Sequence, residues 1–170
     1  FRARSWESLG RGITGGGATV NSIAVGFSFY DESNPSPPYR HDVFIGGDFG
    51  AAVNAVGADV PGTANVAYYS ADRDEWQALG SGTNGPVYDM WYVRQFMPYT
   101  GPGPELVWGS LYVAGNFTAV NPVAGGTLVA NNIARFDRDA HEWRALGRSG
   151  ARNGTNGAVH SIRPVGHGTD

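Results

Sequence analysis

The sequence predicts an all-β chain built from repeated four-stranded antiparallel sheets. Three observations predict it. One short pattern occurs three times, as Trp6-Glu7-Ser8-Leu9-Gly10, Trp76-Gln77-Ala78-Leu79-Gly80 and Trp143-Arg144-Ala145-Leu146-Gly147, with the tryptophans 70 and then 67 residues apart. Between them the same landmarks return in the same order, which is the signature of a repeat architecture. The apolar runs are short, rich in β-branched and aromatic residues, and bounded by Gly, Pro, Asn or Asp. No stretch sustains a 3.6-residue apolar period with caps, so no helix is expected.

Each period holds four strand-sized segments. Segment a is Val20–Phe27, Val87–Val93 and Val159–Val165. Segment b is Asp42–Phe49 and Ser110–Phe117, carrying the matched runs Val43-Phe44-Ile45-Gly46-Gly47-Asp48-Phe49 and Leu111-Tyr112-Val113-Ala114-Gly115-Asn116-Phe117. Segment c is Asn65–Ser70 and Asn132–Asp137, and segment d is Glu75–Gly80 and Glu142–Gly147, with a d-like piece at Ser5–Gly10. The c–d links, Ala71-Asp72-Arg73-Asp74 and Arg138-Asp139-Ala140-His141, are tight polar turns that imply antiparallel hairpins. Trp6, Trp76 and Trp143 are expected to pack on their own sheets. Gly10, Gly80 and Gly147 are expected to permit a sharp exit toward the next sheet. The Gly-rich ends of segment b suit a close approach between neighbouring sheets.

Four antiparallel strands are the unit of a β-propeller blade. The chain then divides into an outer strand and turn (1–19), a first blade (20–80), a second blade (81–147), and a loop plus inner strand (148–170). Two complete blades and two partial ones fall short of the ~4–8 blades of a closed propeller. The expectation is a segment of a longer chain, or subunits joined head to tail into a ring or filament.

Composition narrows the function classes. Gly supplies 26 of 170 residues, roughly twice the usual ~7% share. A hydrophobic fraction of 41% and an aromatic fraction of 12% are too high for a disordered chain. There is no Cys, which excludes disulfides, cysteine metal sites and cysteine-linked cofactors. The net charge is −3 and all 12 basic residues are Arg spread along the chain, so no basic stripe points to nucleic acid. No run of ~18 apolar residues exists to span a bilayer. The first residue is Phe1, consistent with a processed product or a segment.

Several motifs bear on chemistry. Gly10-Arg11-Gly12-Ile13-Thr14-Gly15 and Gly80-Ser81-Gly82-Thr83-Asn84-Gly85 match G-x-G-x-x-G, but a strand pattern follows where a dinucleotide site needs a helix, so they read as turns between repeats. Asn116-Phe117-Thr118 and Asn153-Gly154-Thr155 are N-glycosylation sequons and imply a secretory route. The a–b loops are Pro-rich in both repeats. Ser33, Ser36, Pro37, Pro38 and Thr100 are candidates for hydroxylation or O-glycosylation there. Asp72-Arg73-Asp74 and Asp137-Arg138-Asp139 read as turn chemistry rather than a Ca²⁺ site. His41, His141, His160 and His167 have no ligand spacing, and Ser149 sits outside a nucleophile elbow. No catalytic, cofactor or metal residue is assigned.

The Trp-x-x-Leu-Gly-x-Gly pattern, the run Leu111 to Thr118 and Asn132-Ile133-Ala134-Arg135-Phe136-Asp137 resemble the kelch-like propeller repeats of the Rax2-type cell-surface family. That resemblance implies large glycosylated surface proteins that mark growth or polarity sites. Fold reports function weakly in such a family. The expectation is an extracellular structural or surface-interaction protein, glycosylated and assembling head to tail, rather than an enzyme. The alternative is a carbohydrate- or protein-binding propeller module of a larger cell-surface protein, with Tyr39, Tyr99 and Trp108 as stacking aromatics.

Overall fold

The computed structural model describes residues 7–27, 41–96, 107–121, 126–138, 140–147 and 153–163. Among them are twelve strands and no helix. The first four-stranded sheet contains β2 (Thr19–Phe27), β3 (His41–Asp48), β5 (Val66–Ser70) and β6 (Glu75–Ala78) in that spatial order. The second contains β7 (Val87–Phe96), β8 (Val107–Gly115), β11 (Ile133–Asp137) and β12 (Glu142–Ala145), again in chain order. Every pairing is antiparallel, so each sheet is an open meander. Two short ribbons flank them: β1 (Ile13–Thr14) with β4 (Ala51–Ala52), and β9 (Ala119–Val120) with β10 (Leu128–Val129).

The two sheets share local irregularities as well as topology. Both inner hairpins slip register at the same place, between Val20 and Ser22 and between Val87 and Asp89. A bulge there turns Asn21 and Tyr88 away from the ladder. Both outer hairpins turn through a positive-φ residue, Asp74 (φ 57) and His141 (φ 51). Both third strands begin just after an Asn in the left-handed region, Asn65 (φ 62) and Asn132 (φ 65). Asn, Asp and His tolerate this region better than other side chains, and that sets where the strands start and turn.

The main core lies between the sheets. Ala24, Phe44, Val66 and Leu79 of the first repeat meet Val87, Met90, Val113 and Trp143 of the second. Phe44 stacks on Tyr68 of its own sheet at 5.5 Å and on Tyr92 of the next at 5.4 Å between centroids. Burying a side chain of this size contributes about 1.5–3 kcal/mol. Gly46 is a point of close approach between the sheets: a Cβ there would lie 2.6 Å from Val87 Cγ1 and 2.8 Å from Met90 Sδ. A smaller core of Ile45, Phe49, Ala52, Ala67, Tyr69 and Trp76 occupies the other face of the first sheet.

The described parts of two expected strands, Ser5–Gly10 and Val159–Val165, carry no ladder. Residues 7–10 of the d-like piece form a bend and turn, and residues 159–163 run beside the second sheet without a ladder. An outer strand needs a c partner and an inner strand needs a b partner, and neither partner is among the described residues. The described residues form an all-β pair of four-stranded antiparallel sheets, and among them neither sheet has a further strand at its edges.

Candidate functional site

The most elaborated feature is the junction where one repeat meets the next. It begins with the tryptophan of segment d. Trp76 Nε1 donates to the Leu9 carbonyl at 3.0 Å, and Trp143 Nε1 donates to the Leu79 carbonyl at 2.8 Å. Each indole also meets an aromatic ring of its own sheet edge-on, Tyr69 for Trp76 and Phe136 for Trp143. The expectation that these tryptophans pack on their own sheets is therefore half of the arrangement; the indole N–H reaches back to the preceding motif. Trp6 lies outside the described residues.

The glycine after Leu completes this contact. Gly10 (φ +56) and Gly80 (φ +64) adopt the left-handed region, and a Cβ on either would approach the indole Cδ1, at 2.9 and 3.1 Å. Gly10 and Gly80 are thus required by backbone and by neighbour alike. Gly147 also has positive φ, 149. The peptide after each glycine pairs with the b–c hairpin: Arg11 N with the Val53 carbonyl at 2.9 Å, Ser81 N with the Asn121 carbonyl at 3.0 Å.

A second layer uses the left-handed asparagines. Asn65 Nδ2 donates to the Thr83 carbonyl at 2.9 Å, and Asn132 Nδ2 to the Thr155 carbonyl at 3.2 Å. The reciprocal backbone bonds, Thr83 N to Ala64 and Thr155 N to Asn131, measure 3.2 and 3.0 Å. Thr83 and Thr155 each turn their hydroxyl onto a carbonyl two residues on, Gly85 and Gly157, at 2.7 Å. Of the G-x-G-x-x-G matches, Gly80–Gly85 lies in this layer between the sheets, whereas Gly10–Gly15 runs through β1, paired with β4; neither opens a helix.

A third layer runs along the inner strands. Met90 N donates to Ser22 Oγ at 3.1 Å, and Ile162 N donates to Asp89 Oδ2 at 2.9 Å. Ser22, Asp89 and Ser161 hold the same position in successive repeats and are linked, with Ser22 Oγ donating to Asp89 Oδ1 and Ser161 Oγ to Asp89 Oδ2. The bulge residues join the same line. Asn21 Nδ2 donates to the Val87 carbonyl at 2.9 Å, and Tyr88 stacks on His160 with rings 5.0 Å apart and 2° from parallel. Arg163 pairs with Asp89 at 2.5 Å and lies over the Trp91 ring. Burial pushes the Asp89 carboxyl up, but the bonds from Ile162, Ser161, Arg163 and Met90 outweigh it and hold it below the ordinary range.

One ion pair crosses the junction in the interior. Arg138, at the end of β11, meets Asp42 of β3, and both side chains are almost fully buried (5% and 1% exposed). Asp42 Oδ1 also accepts from Ala71 N at 3.0 Å. The guanidinium lies 5.6 Å from the Phe44 centroid and 5.8 Å from that of Tyr68. Burial raises the Tyr68 phenol, against the opposing pull of Arg138. Tyr69 is raised by burial and by the bond it donates to Asp74. The Asp137-Arg138 turn therefore does more than turn chemistry: Arg138 reaches into the neighbouring repeat.

The candidate decoration sites divide. Asn116 is exposed at the end of β8. Asn153 is half-buried, its amide donating to the Val129 carbonyl at 3.3 Å. The loops after segments b and d lie together, through the bonds from Asn131 N to Asn153 and from Asn84 N to Ala119. Ser33, Ser36, Pro37, Pro38, Thr100, Tyr39 and Tyr99 lie outside the described residues. Among the described residues no group of three or more His, Asp or Glu is placed to hold a metal ion, and no helix is long and apolar enough to cross a membrane.

Asn65 with Asn132, and Ser22 with Asp89 and Ser161, carried a readable signal, since each set recurs at one position of the repeat. Arg138 with Asp42 carried none, because the equivalent positions hold Ala71 and Ser110. No protein-family model, curated protein or solved structure matches this chain.

Proposed function

We propose that this chain is an extracellular structural or surface-interaction protein whose repeats are β-propeller-type blades, glycosylated and assembling head to tail. The observation that carries the reading is the junction. Its tryptophan, asparagine and inner-strand layers repeat with the period of the sequence, and they spend the chain's polar groups on holding one repeat to the next. Two consecutive four-stranded meanders packed face to face support blades over a sandwich, because a sandwich calls for no such recurring junction. The likeness to Rax2-type repeats points the same way. A surface made of such units acts by rigidity and by what its loops and glycans present.

Of the two sequons, Asn116 is the better presented, being exposed, whereas the Asn153 amide is engaged with Val129. Intact mass of these 170 residues secreted from a eukaryotic host, before and after deglycosylation, tests the decoration. A mass above 18.0 kDa that falls on enzymatic release, and falls by one glycan in Asn116→Gln, is the expected result. An unmodified 18.0 kDa chain from a secreting host removes glycosylation from the reading.

A further inference from the structure

We propose that Asn116 accepts a glycan only while the junction between the repeats is open, and that the side chain of Asn84 is the lock that ends this period. The inference rests on the glycosylated reading above and adds what controls that site.

The sequon Asn116-Phe117-Thr118 lies where β8 gives way to β9. Asn116 and Thr118 are exposed, but Phe117 between them is buried in the core that the two sheets share. Transfer joins Asn116 Nδ2 to the anomeric carbon of a lipid-pyrophosphate-linked oligosaccharide. The bond from that carbon to the pyrophosphate oxygen breaks, the lipid pyrophosphate leaves, and the amide nitrogen gives up one proton. The N-x-[ST] requirement means that the hydroxyl of the third residue is read together with the amide, so all three residues must enter the transferase. An exposed Asn116 side chain is therefore not sufficient while Phe117 holds the backbone down.

Each residue of the sequon is tied to the fold. Asn116 N donates to the Pro86 carbonyl at 2.9 Å, Asn132 N to the Phe117 carbonyl at 2.8 Å, and Ala130 N to the Thr118 carbonyl at 3.0 Å. Asn84 adds a clamp from the turn between the sheets. Its Oδ1 accepts from Thr118 N at 2.9 Å and from Ala119 N at 3.0 Å. Its Nδ2 donates to Thr118 Oγ1 at 2.9 Å, which engages the hydroxyl that a transferase has to read.

The clamp closes with the junction. Thr83, the residue before Asn84, is held to the first repeat by Asn65 Nδ2 and by the bond from its own N–H to the Ala64 carbonyl. The first repeat has neither part of the device. Asp48-Phe49-Gly50 stands at the sequon positions, and Thr14 stands for Asn84 with its hydroxyl on the Ala51 carbonyl and Asp59. A glycan placed on Asn116 before closure stays on the outside, so it leaves the junction free to form. Occupancy is then set by a race between transfer and closure.

The test uses the full chain made without glycans in a bacterial cytosol, with Asn153→Gln so that Asn116 is the sequon read. A purified single-subunit oligosaccharyltransferase and its lipid-pyrophosphate-linked oligosaccharide are added, and intact mass follows transfer over time. Four chains are compared: the folded parent, a chain unfolded by Val66→Asp with Val113→Asp, folded Asn84→Thr, and folded Trp76→Phe. Val66 and Val113 are both fully buried, and Thr is the residue that the first repeat carries at the position of Asn84. Circular dichroism establishes which chains are folded. The expected result is transfer to the unfolded chain at least about tenfold faster than to the parent, because reaction on the folded chain waits for local opening. Asn84→Thr should recover part of that difference, and Trp76→Phe, which loosens the bond to Leu9 away from the sequon, should not. Equal rates on the folded parent and the unfolded chain overturn the lock and leave the glycosylated reading standing. Asn84→Thr no faster than the parent, or no faster than Trp76→Phe, overturns the part assigned to Asn84. No transfer even to the unfolded chain overturns the inference together with glycosylation at Asn116.

Discussion

Arg138→Met isolates the ion pair that crosses between the repeats. The substitution keeps a side chain of similar length against Phe44 and Tyr68 but removes the charge that faces Asp42. Asp42 is then a carboxylate 1% exposed, with the Ala71 N–H as its remaining described backbone donor. Breaking one half of a buried pair costs about 3–5 kcal/mol, since the other half stays desolvated. Against a total stability of about 5–15 kcal/mol this is a large share. With a urea slope of about 2 kcal/mol per M, the midpoint falls by about 2 M. Asp42→Ser installs the residue that occupies the same position in the second repeat, Ser110. The double variant removes both charges, so most of the lost stability returns. Urea unfolding of the four chains, followed by tryptophan fluorescence, completes the cycle. A single Arg138→Met cost below about 1 kcal/mol, or costs that simply add in the double variant, would refute the pairing.

Trp143→Phe keeps the ring contact with Phe136 and removes the donor to Leu79; a loss of about 1–3 kcal/mol in urea unfolding is expected, with a comparable loss for Trp76→Phe. Gly80→Ala forces a Cβ toward Trp143 at a positive φ and is expected to cost more than about 1 kcal/mol, whereas Gly16→Ala, with open space around it, is expected to be neutral or mildly stabilising by thermal unfolding. Asp89 titrates below its ordinary value in the folded chain, so its contribution is present above the unfolded carboxylate pKa and is lost as pH falls through the folded one; Asp89→Asn should flatten that acid limb of stability against pH. Tyr68 and Tyr69 titrate above the ordinary phenol value, so their contribution holds below about pH 10 and is lost as pH rises through the raised values, a limb that Tyr69→Phe should diminish.

What could be read in advance was whatever the repeat wrote twice. The Trp-x-x-Leu-Gly pattern located the turns, and the b-segment glycines located the close approach, at Gly46 against Val87 and Met90. The c–d hairpins followed from short polar turns, and the order of the other strands from the four-segment repeat. Three features were beyond that reading. A β-bulge adds one residue to a ladder without a compositional mark, so the roles of Asn21 and Tyr88 were hidden. The Asn65 and Asn132 latches recur in the sequence, but their left-handed backbone is a property of the packed turn. Arg138 and Asp42 are 96 residues apart and unique to one junction, so no periodicity could pair them. The described parts of the expected outer strand (residues 7–10 of Ser5–Gly10) and inner strand (residues 159–163 of Val159–Val165) are not laddered, since a strand pattern becomes a strand only where a neighbour supplies the ladder.

Electron microscopy of the concentrated, natively expressed protein tests the central claim most directly. If the repeat junction is an assembly device, the particles are rings or filaments in which four-stranded sheets follow one another at a constant spacing, within and between chains. A uniform population of single, unassembled particles at every concentration would contradict it.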